Sequence, residues 1–234
     1  ADFGTIALAW ATIGLVRCWA DIGISNALIH HQESTDEELS TLYWLSIVSG
    51  AVLYVAVILC SPVIAVLFQQ PRLQGVLIWI GISLAIVPWG NQYQYLFQKE
   101  LQFRTIAYAE VVPRALGVVI ALVMALQGKG VYAFVGSYLL YVSGKSAVLI
   151  VAGLKMWRPR MILRFDTIRS YMRFGLYQMG ERTINFFSAN IDYFIIGKFL
   201  GAVPLGYYKI AYELVTVPLK LDFSAVIFIW TRFL

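Results

Sequence analysis

The sequence predicts an all-α polytopic membrane protein of about seven transmembrane helices, one nearly complete six-helix bundle plus the start of a second, related repeat. Three observations carry this. The 234 residues are 60% hydrophobic and 13% charged, with a mean hydropathy of +0.73, whereas soluble domains are about a quarter charged. The apolar residues also fall into seven long segments, 3–30, 40–68, 73–98, 103–126, 130–154, 171–198 and 204–231. Each can cross ~30 Å of hydrocarbon as a tilted helix. Finally, Phe3-Gly4-Thr5-Ile6-Ala7-Leu8-Ala9-Trp10 can be laid on Leu205-Gly206-Tyr207-Tyr208-Lys209-Ile210-Ala211-Tyr212. Both copies begin on the same side of the membrane, which predicts two similar bundles running in parallel.

Taken in order, the first span aligns Trp10, Gly14, Arg17, Asp21 and Ser25 on one face, with Arg17 and Asp21 an i,i+4 pair. The connection 31–39 carries Glu33, Asp36, Glu37 and Glu38. Thr35 with Glu38 three residues on predicts a capping box, and acids favour a helix start. Adjacent His30 and His31 point about 100° apart on a helix and chelate poorly. The second span has no charge in 40–68, and Ser46, Ser49 and Gly50 suit close helix approach. Pro88 predicts a kink in the third, followed by Asn91-Gln92-Tyr93-Gln94-Tyr95, a run that fits an interfacial belt or a cavity mouth. Both spans read as scaffold. Cys18 and Cys60 lie in apolar spans and read as small buried hydrophobes.

The fourth span places Glu110 and Arg114 in line with Ala107, Gly117 and Ala121; the fifth aligns Phe134, Tyr138, Tyr141 and Lys145. In the sixth, Gln178, Glu181, Asn185, Ser188 and Asp192 fall within roughly 80° of one another at helical spacing. The last aligns Lys209, Glu213, Thr216 and Lys220. The domain division is 1–154 for the first bundle, 155–170 for a basic linker and 171–234 for the first two helices of the second.

Lys155, Arg158, Arg160, Arg164, Arg169 and Arg173 crowd into or beside that linker, opposed by Asp166. The positive-inside rule makes it cytoplasmic, together with 31–39 and 99–104; 69–72, 127–129 and 199–203 then face outward. Between two spans, such a run at 155–173 meets anionic lipid headgroups rather than nucleic acid.

Charge inside a span costs ~2.5–3.5 kcal/mol on insertion scales. Local carboxylate–cation pairs and snorkelling explain single cases. Polar faces on five spans point instead to one shared aqueous cavity, and its cations imply an anionic ligand. The aromatic and lysine face at 134–145 fits a sugar or phosphate, with tyrosines packed at a helix interface as the other reading.

The stretches Asp21-Ile22-Gly23-Ile24-Ser25-Asn26-Ala27-Leu28-Ile29, Leu39-Ser40-Thr41-Leu42-Tyr43-Trp44, Gln98-Lys99-Glu100-Leu101-Gln102-Phe103-Arg104 and Trp157-Arg158-Pro159 have a familiar order and spacing. So do Phe174-Gly175, Asn190-Ile191-Asp192-Tyr193-Phe194-Ile195-Ile196-Gly197-Lys198-Phe199-Leu200-Gly201, Leu205-Gly206-Tyr207-Tyr208 and Ala211-Tyr212. Together they resemble the polysaccharide-export flippase branch of the multidrug/oligosaccharidyl-lipid/polysaccharide (MOP) superfamily, within it the colanic-acid exporter-like group. The chain departs where that group has a Phe-Pro pair and Phe228-Ile229-Trp230 stands instead.

The resemblance implies two six-helix bundles around a central cavity and an alternating-access cycle. It implies a lipid-linked oligosaccharide on undecaprenyl pyrophosphate as cargo, and a multi-pass location in the bacterial inner membrane. It also implies an internal fragment, lacking one helix before residue 1 and several after residue 234. The chain would be no enzyme and need no cofactor, with H⁺ or Na⁺ as a coupling ion. The substrate-binding expectation falls on Arg17, Arg114, Lys145, Arg182, Tyr138, Tyr141, Gln178 and Asn185. Asp21, Glu110, Glu181 and Asp192 would balance charge or couple to an ion. The competing readings are an ion-coupled multidrug-type antiporter, which predicts a carboxylate-dominated cavity, and a membrane enzyme of glycan assembly. For the latter the sequence offers no HExxH, GxSxG or P-loop pattern.

Overall fold

A computed structural model describes residues 2–20, 35–162 and 169–220, with side chains given except at 169–174 and 217–220. The described residues form seven helices: α1 (Asp2–Ala20), α2 (Asp36–Leu67), α3 (Pro71–Lys99), α4 (Phe103–Leu126), α5 (Val131–Gly153), α6 (Arg169–Phe199) and α7 (Ala202–Lys220). The first five are long and apolar enough to cross a membrane. The protein is a multi-pass, all-helical membrane protein.

Short turns set the topology. Residues 68–70, 100–102, 127–130 and 200–201 are too few to do anything but reverse the chain. Gly201 takes φ +88, a left-handed turn that a side chain would strain. Successive helices therefore alternate between a linker end, where residues 154–168 join α5 to α6, and a far end, where α1 begins.

The apolar core joins α1, α3, α5 and α7 through Leu8, Ile13, Leu77, Leu84, Val135 and Leu205, all almost fully buried. The outward faces of α2 and α4 stay apolar and exposed, at Val52, Leu59 and Val63 and at Val111, Leu116 and Leu122. In water such surface would demand cover; against acyl chains it is the expected exterior. Cys60 belongs to this exposed surface and Cys18 is half-buried, both as free thiols, which corrects the expectation that both are buried.

At the far end α1 crosses α7 at its repeat counterpart. A Cβ on Gly4 would sit 1.6 Å from the Ala202 carbonyl oxygen, and one on Gly206 would sit 3.1 Å from the Gly4 nitrogen. The two glycines that correspond in the internal repeat thus pack against each other. Around them the Asp2–Arg72 ion pair at 3.9 Å and the Lys198 Nζ bond to the Leu67 carbonyl at 3.1 Å draw the far end together.

Inside the first bundle, helices bearing a proline meet a neighbour's glycine. Pro88 leaves the Leu84 carbonyl without its usual helical donor, and a Cβ on Gly50 of α2 would lie 2.4 Å from that oxygen. Likewise a Cβ on Gly144 of α5 would lie 2.9 Å from Pro113 of α4.

The linker end is tied down by α2. Trp44 Nε1 donates to the Arg160 carbonyl at 3.0 Å, the Arg160 N–H to Ser40 Oγ at 3.1 Å and Thr41 Oγ1 to the Ile162 carbonyl at 3.3 Å. Tyr43, Tyr93 and Trp157 pack edge-on or tilted beneath it, with ring centroids 5.9–6.1 Å apart. Lys155, Arg158 and Arg160 are exposed along this segment.

The Thr35 capping box is present in full: the Glu38 N–H donates to Thr35 Oγ1 at 3.4 Å and the Thr35 N–H to Glu38 Oε2 at 3.1 Å. Thr35→Ala is expected to destabilise the protein by about 1 kcal/mol. Thermal unfolding in detergent measures this, and Thr35→Ser should restore most of it.

Candidate functional site

A cavity of about 510 Å³ lies between α1, α2, α3, α4, α5 and α6. Helical spacing brings its lining together. On α5, Tyr138, Tyr141 and Lys145 succeed one another at three and four residues and so share one face. On α4, Arg114 faces them one turn beyond Glu110; α1 contributes Arg17 and α6 contributes Arg182.

Glu110 is the hub. Its carboxylate accepts from Lys145 Nζ and from the Tyr141 hydroxyl, both at very short range, and pairs with Arg114 at 3.8 Å. The Tyr141 hydroxyl also accepts from Arg114 at 3.4 Å. Lys145 is 19% exposed, Glu110 31% and Arg114 68%, so the carboxylate neutralises the enclosed ammonium more fully than the open guanidinium. Arg17 is held differently. Its guanidinium lies 5.3 Å from the centre of the Tyr138 ring and donates to Ser83 Oγ at 3.3 Å. Among the described residues it has no carboxylate partner. Arg114 lies in the same manner over Tyr141, 4.9 Å from its centre. Trp10 meets Tyr138 edge-on at 4.3 Å.

Four cations thus line one space, and among the described residues Glu110 is shared between two of them, Lys145 and Arg114. In a low-dielectric interior such an excess attracts an anion, and planar guanidiniums match phosphate or carboxylate geometry.

The structure brings Arg17, Arg114, Lys145, Arg182, Tyr138 and Tyr141 to this cavity, with Glu110 bonded to it from behind. It does not bring the polar stripe of the sixth span there. Glu181 and Asn185 are exposed on α6, and Gln178 is half-buried with a buried, unpaired Oε1. Asp192 lies toward the far end, where its Oδ2 accepts a very short bond from the Tyr208 hydroxyl beside Tyr193 and Tyr212. Asp21 and the His30-His31 pair lie outside the described residues.

The third span proves to be a wall as well as a scaffold. Leu84, Val87, Pro88, Asn91, Gln92 and Tyr95 all line the cavity. Gln92 is 4% exposed and donates through Nε2 to the Leu39 carbonyl at 2.7 Å. Of the run at 91–95, Asn91, Gln92 and Tyr95 therefore face the cavity, while Tyr93 packs with Tyr43 and Trp157. The signal was in the spacing: residues 84, 88, 91, 92 and 95 fall on one helical face.

The polysaccharide biosynthesis protein family matches residues 1–227. The chain is similar to the teichuronic acid biosynthesis protein TuaB of Bacillus subtilis (strain 168), 35% identical over 198 residues, covering 85% of this chain and 41% of that protein. It is 29% identical over 217 residues to the lipopolysaccharide biosynthesis protein WzxC of Escherichia coli (strain K12), covering 93% and 44%. To the succinoglycan biosynthesis transport protein ExoT of Rhizobium meliloti (strain 1021) it is 22% identical over 225 residues, covering 96% and 45%. The chain spans less than half the length of these relatives. No solved structure matches it.

Proposed function

We propose a function from the premise that the chain belongs to the polysaccharide biosynthesis protein family. It is the cavity-forming part of a flippase that moves lipid-linked oligosaccharide across the bacterial inner membrane, with a polyprenyl (undecaprenyl) pyrophosphate as the lipid anchor. The single observation that supports this most is the convergence of Arg17, Arg114, Lys145 and Arg182 on one cavity. A pyrophosphate is the kind of anion that such cations attract, and several relatives are named for polysaccharide biosynthesis or transport.

The cargo's anion would displace part of the Glu110 contact from Lys145 and Arg114 and take up Arg17 directly. With the basic linker at the cytoplasmic face, cargo would load from the linker side, and the α1–α7 crossing would belong to the outer end. Translocation requires that the opposite, outward-open arrangement hold the anion less tightly, because a ligand shifts an equilibrium only by its differential affinity. Lys155, Arg158 and Arg160 would meet anionic headgroups at that face. Glu110, bonded to two cations, is the group that H⁺ or Na⁺ coupling would act on. No covalent step is required. The multidrug-antiporter reading predicts mostly carboxylates at this position, and the charged side chains among the described lining are all cations.

Arg17→Gln with Arg114→Gln is expected to reduce export of the glycan by at least ~100-fold, since each removes a charge-assisted contact worth about 1.5–3 kcal/mol. Membrane levels of the protein should stay unchanged. Normal export from the double variant, expressed at normal level, would discard the anionic-cargo reading.

A further inference from the structure

We propose that Tyr138 is a positioning residue: its ring face holds the Arg17 guanidinium in the cavity, so the tyrosine serves cargo binding through the arginine and is not itself a platform for sugar stacking. The inference rests on the anionic-cargo reading and adds how the site is aimed.

The geometry carries it. Arg17 and Tyr138 come from α1 and α5, which touch at few places, and the cation over the ring at 5.3 Å is one of those places. The ring is fixed from its other neighbours: Trp10 of α1 stands edge-on to it at 4.3 Å, and Tyr141 lies 6.4 Å away. A flexible arginine laid on a clamped ring loses most of its freedom before any ligand arrives, which strengthens binding by pre-organisation. The ring quadrupole attracts the cation without neutralising it, as a carboxylate would. Among the described residues the guanidinium edge then makes one side-chain hydrogen bond, to Ser83 Oγ, and keeps other N–H groups for an anion. Arg114 on Tyr141 repeats the arrangement at 4.9 Å, but there Glu110 also bonds both members, so the tyrosine's share cannot be separated by substitution. Tyr138 is the clean case. On this proposal the guanidinium, not a sugar, occupies the ring face.

The test uses the purified full chain in detergent and geranyl pyrophosphate as a soluble probe. Tyr138→Leu should weaken binding roughly tenfold, and Tyr138→Phe, which keeps the ring face, should stay within about twofold. In an Arg17→Gln background, Tyr138→Leu should cost nothing further. An equal loss in both backgrounds would mean that the ring touches cargo directly and would overturn the proposal. A second readout needs no cargo: phenylglyoxal modification of Arg17, followed by peptide mass spectrometry, should accelerate severalfold in Tyr138→Leu and not in Tyr138→Phe. An unchanged rate in the leucine variant overturns the proposal. Absence of probe binding in the unaltered chain would instead sink the anionic-cargo reading, while the labelling rates still decide whether Tyr138 holds Arg17.

Discussion

Gly4→Leu is expected to remove most of the folded protein from the membrane, or to leave it with a markedly lower unfolding temperature. At this crossing even a methyl group would lie 1.6 Å from the carbonyl oxygen of Ala202, 2.5 Å from its carbon and 2.9 Å from its Cα. All three atoms are main chain, so no rotamer change relieves the overlap; the helices have to separate. Overpacking in cores costs about 1–3 kcal/mol where side chains can give way, and more is expected where they cannot. Separation would also expose Leu205, now fully buried, and unseat Leu8, against which Gly197 packs. Gly180→Ala is the control, because a Cβ there meets nothing within 4 Å. It should be neutral or stabilising by up to about 1 kcal/mol, since alanine favours the helix. Fluorescence-detected gel filtration before and after heating would compare the two. Equal behaviour of the variants would mean that α1 and α7 do not cross at these glycines.

The second large effect is expected at Glu110. Glu110→Ala leaves Lys145, only 19% exposed, without its carboxylate, and takes from Arg114 and Tyr141 a shared partner. An uncompensated enclosed cation costs more than the lost attraction, so destabilisation of about 2–3 kcal/mol is expected, discounted from fully buried pairs for the partial exposure. The diagnostic is reversal. Adding Lys145→Met should recover most of the stability, because the charge that caused the penalty is gone, while transport stays low because the cation is missing. A double-mutant cycle on unfolding temperature measures this. If Lys145→Met instead adds its own loss to that of Glu110→Ala, the two side chains are not a pair.

Much of this arrangement could be read from the chain itself. Helical spacing alone placed Tyr138, Tyr141 and Lys145 on one face and Glu110 with Arg114 on another, and the capping box at Thr35 followed from two residue types three apart. The offset repeat named Gly4 and Gly206 as counterparts, although nothing in one dimension says that counterparts touch. What spacing could not supply was azimuth. The stripe Gln178, Glu181, Asn185 is as regular as any in the chain, yet the side chain on α6 that reaches the cavity is its neighbour Arg182. A periodic pattern tells which residues share a face; which neighbour that face meets depends on packing of all the other helices. The same reason hid the third span. Its amides and tyrosines suit two environments equally, and only the bundle decides between them.

The pairing of Pro88 with Gly50 and of Pro113 with Gly144 has a mechanical consequence. Interlocked side chains resist sliding. At these two points smooth backbone meets a proline or the carbonyl it frees, so shear there disturbs few interdigitated groups. Both points border the cavity, one on the wall that carries Asn91 and Gln92, the other beside Arg114. If the bundle rocks, these smooth contacts are where it would flex at least cost, while Leu77 and Val135 stay seated.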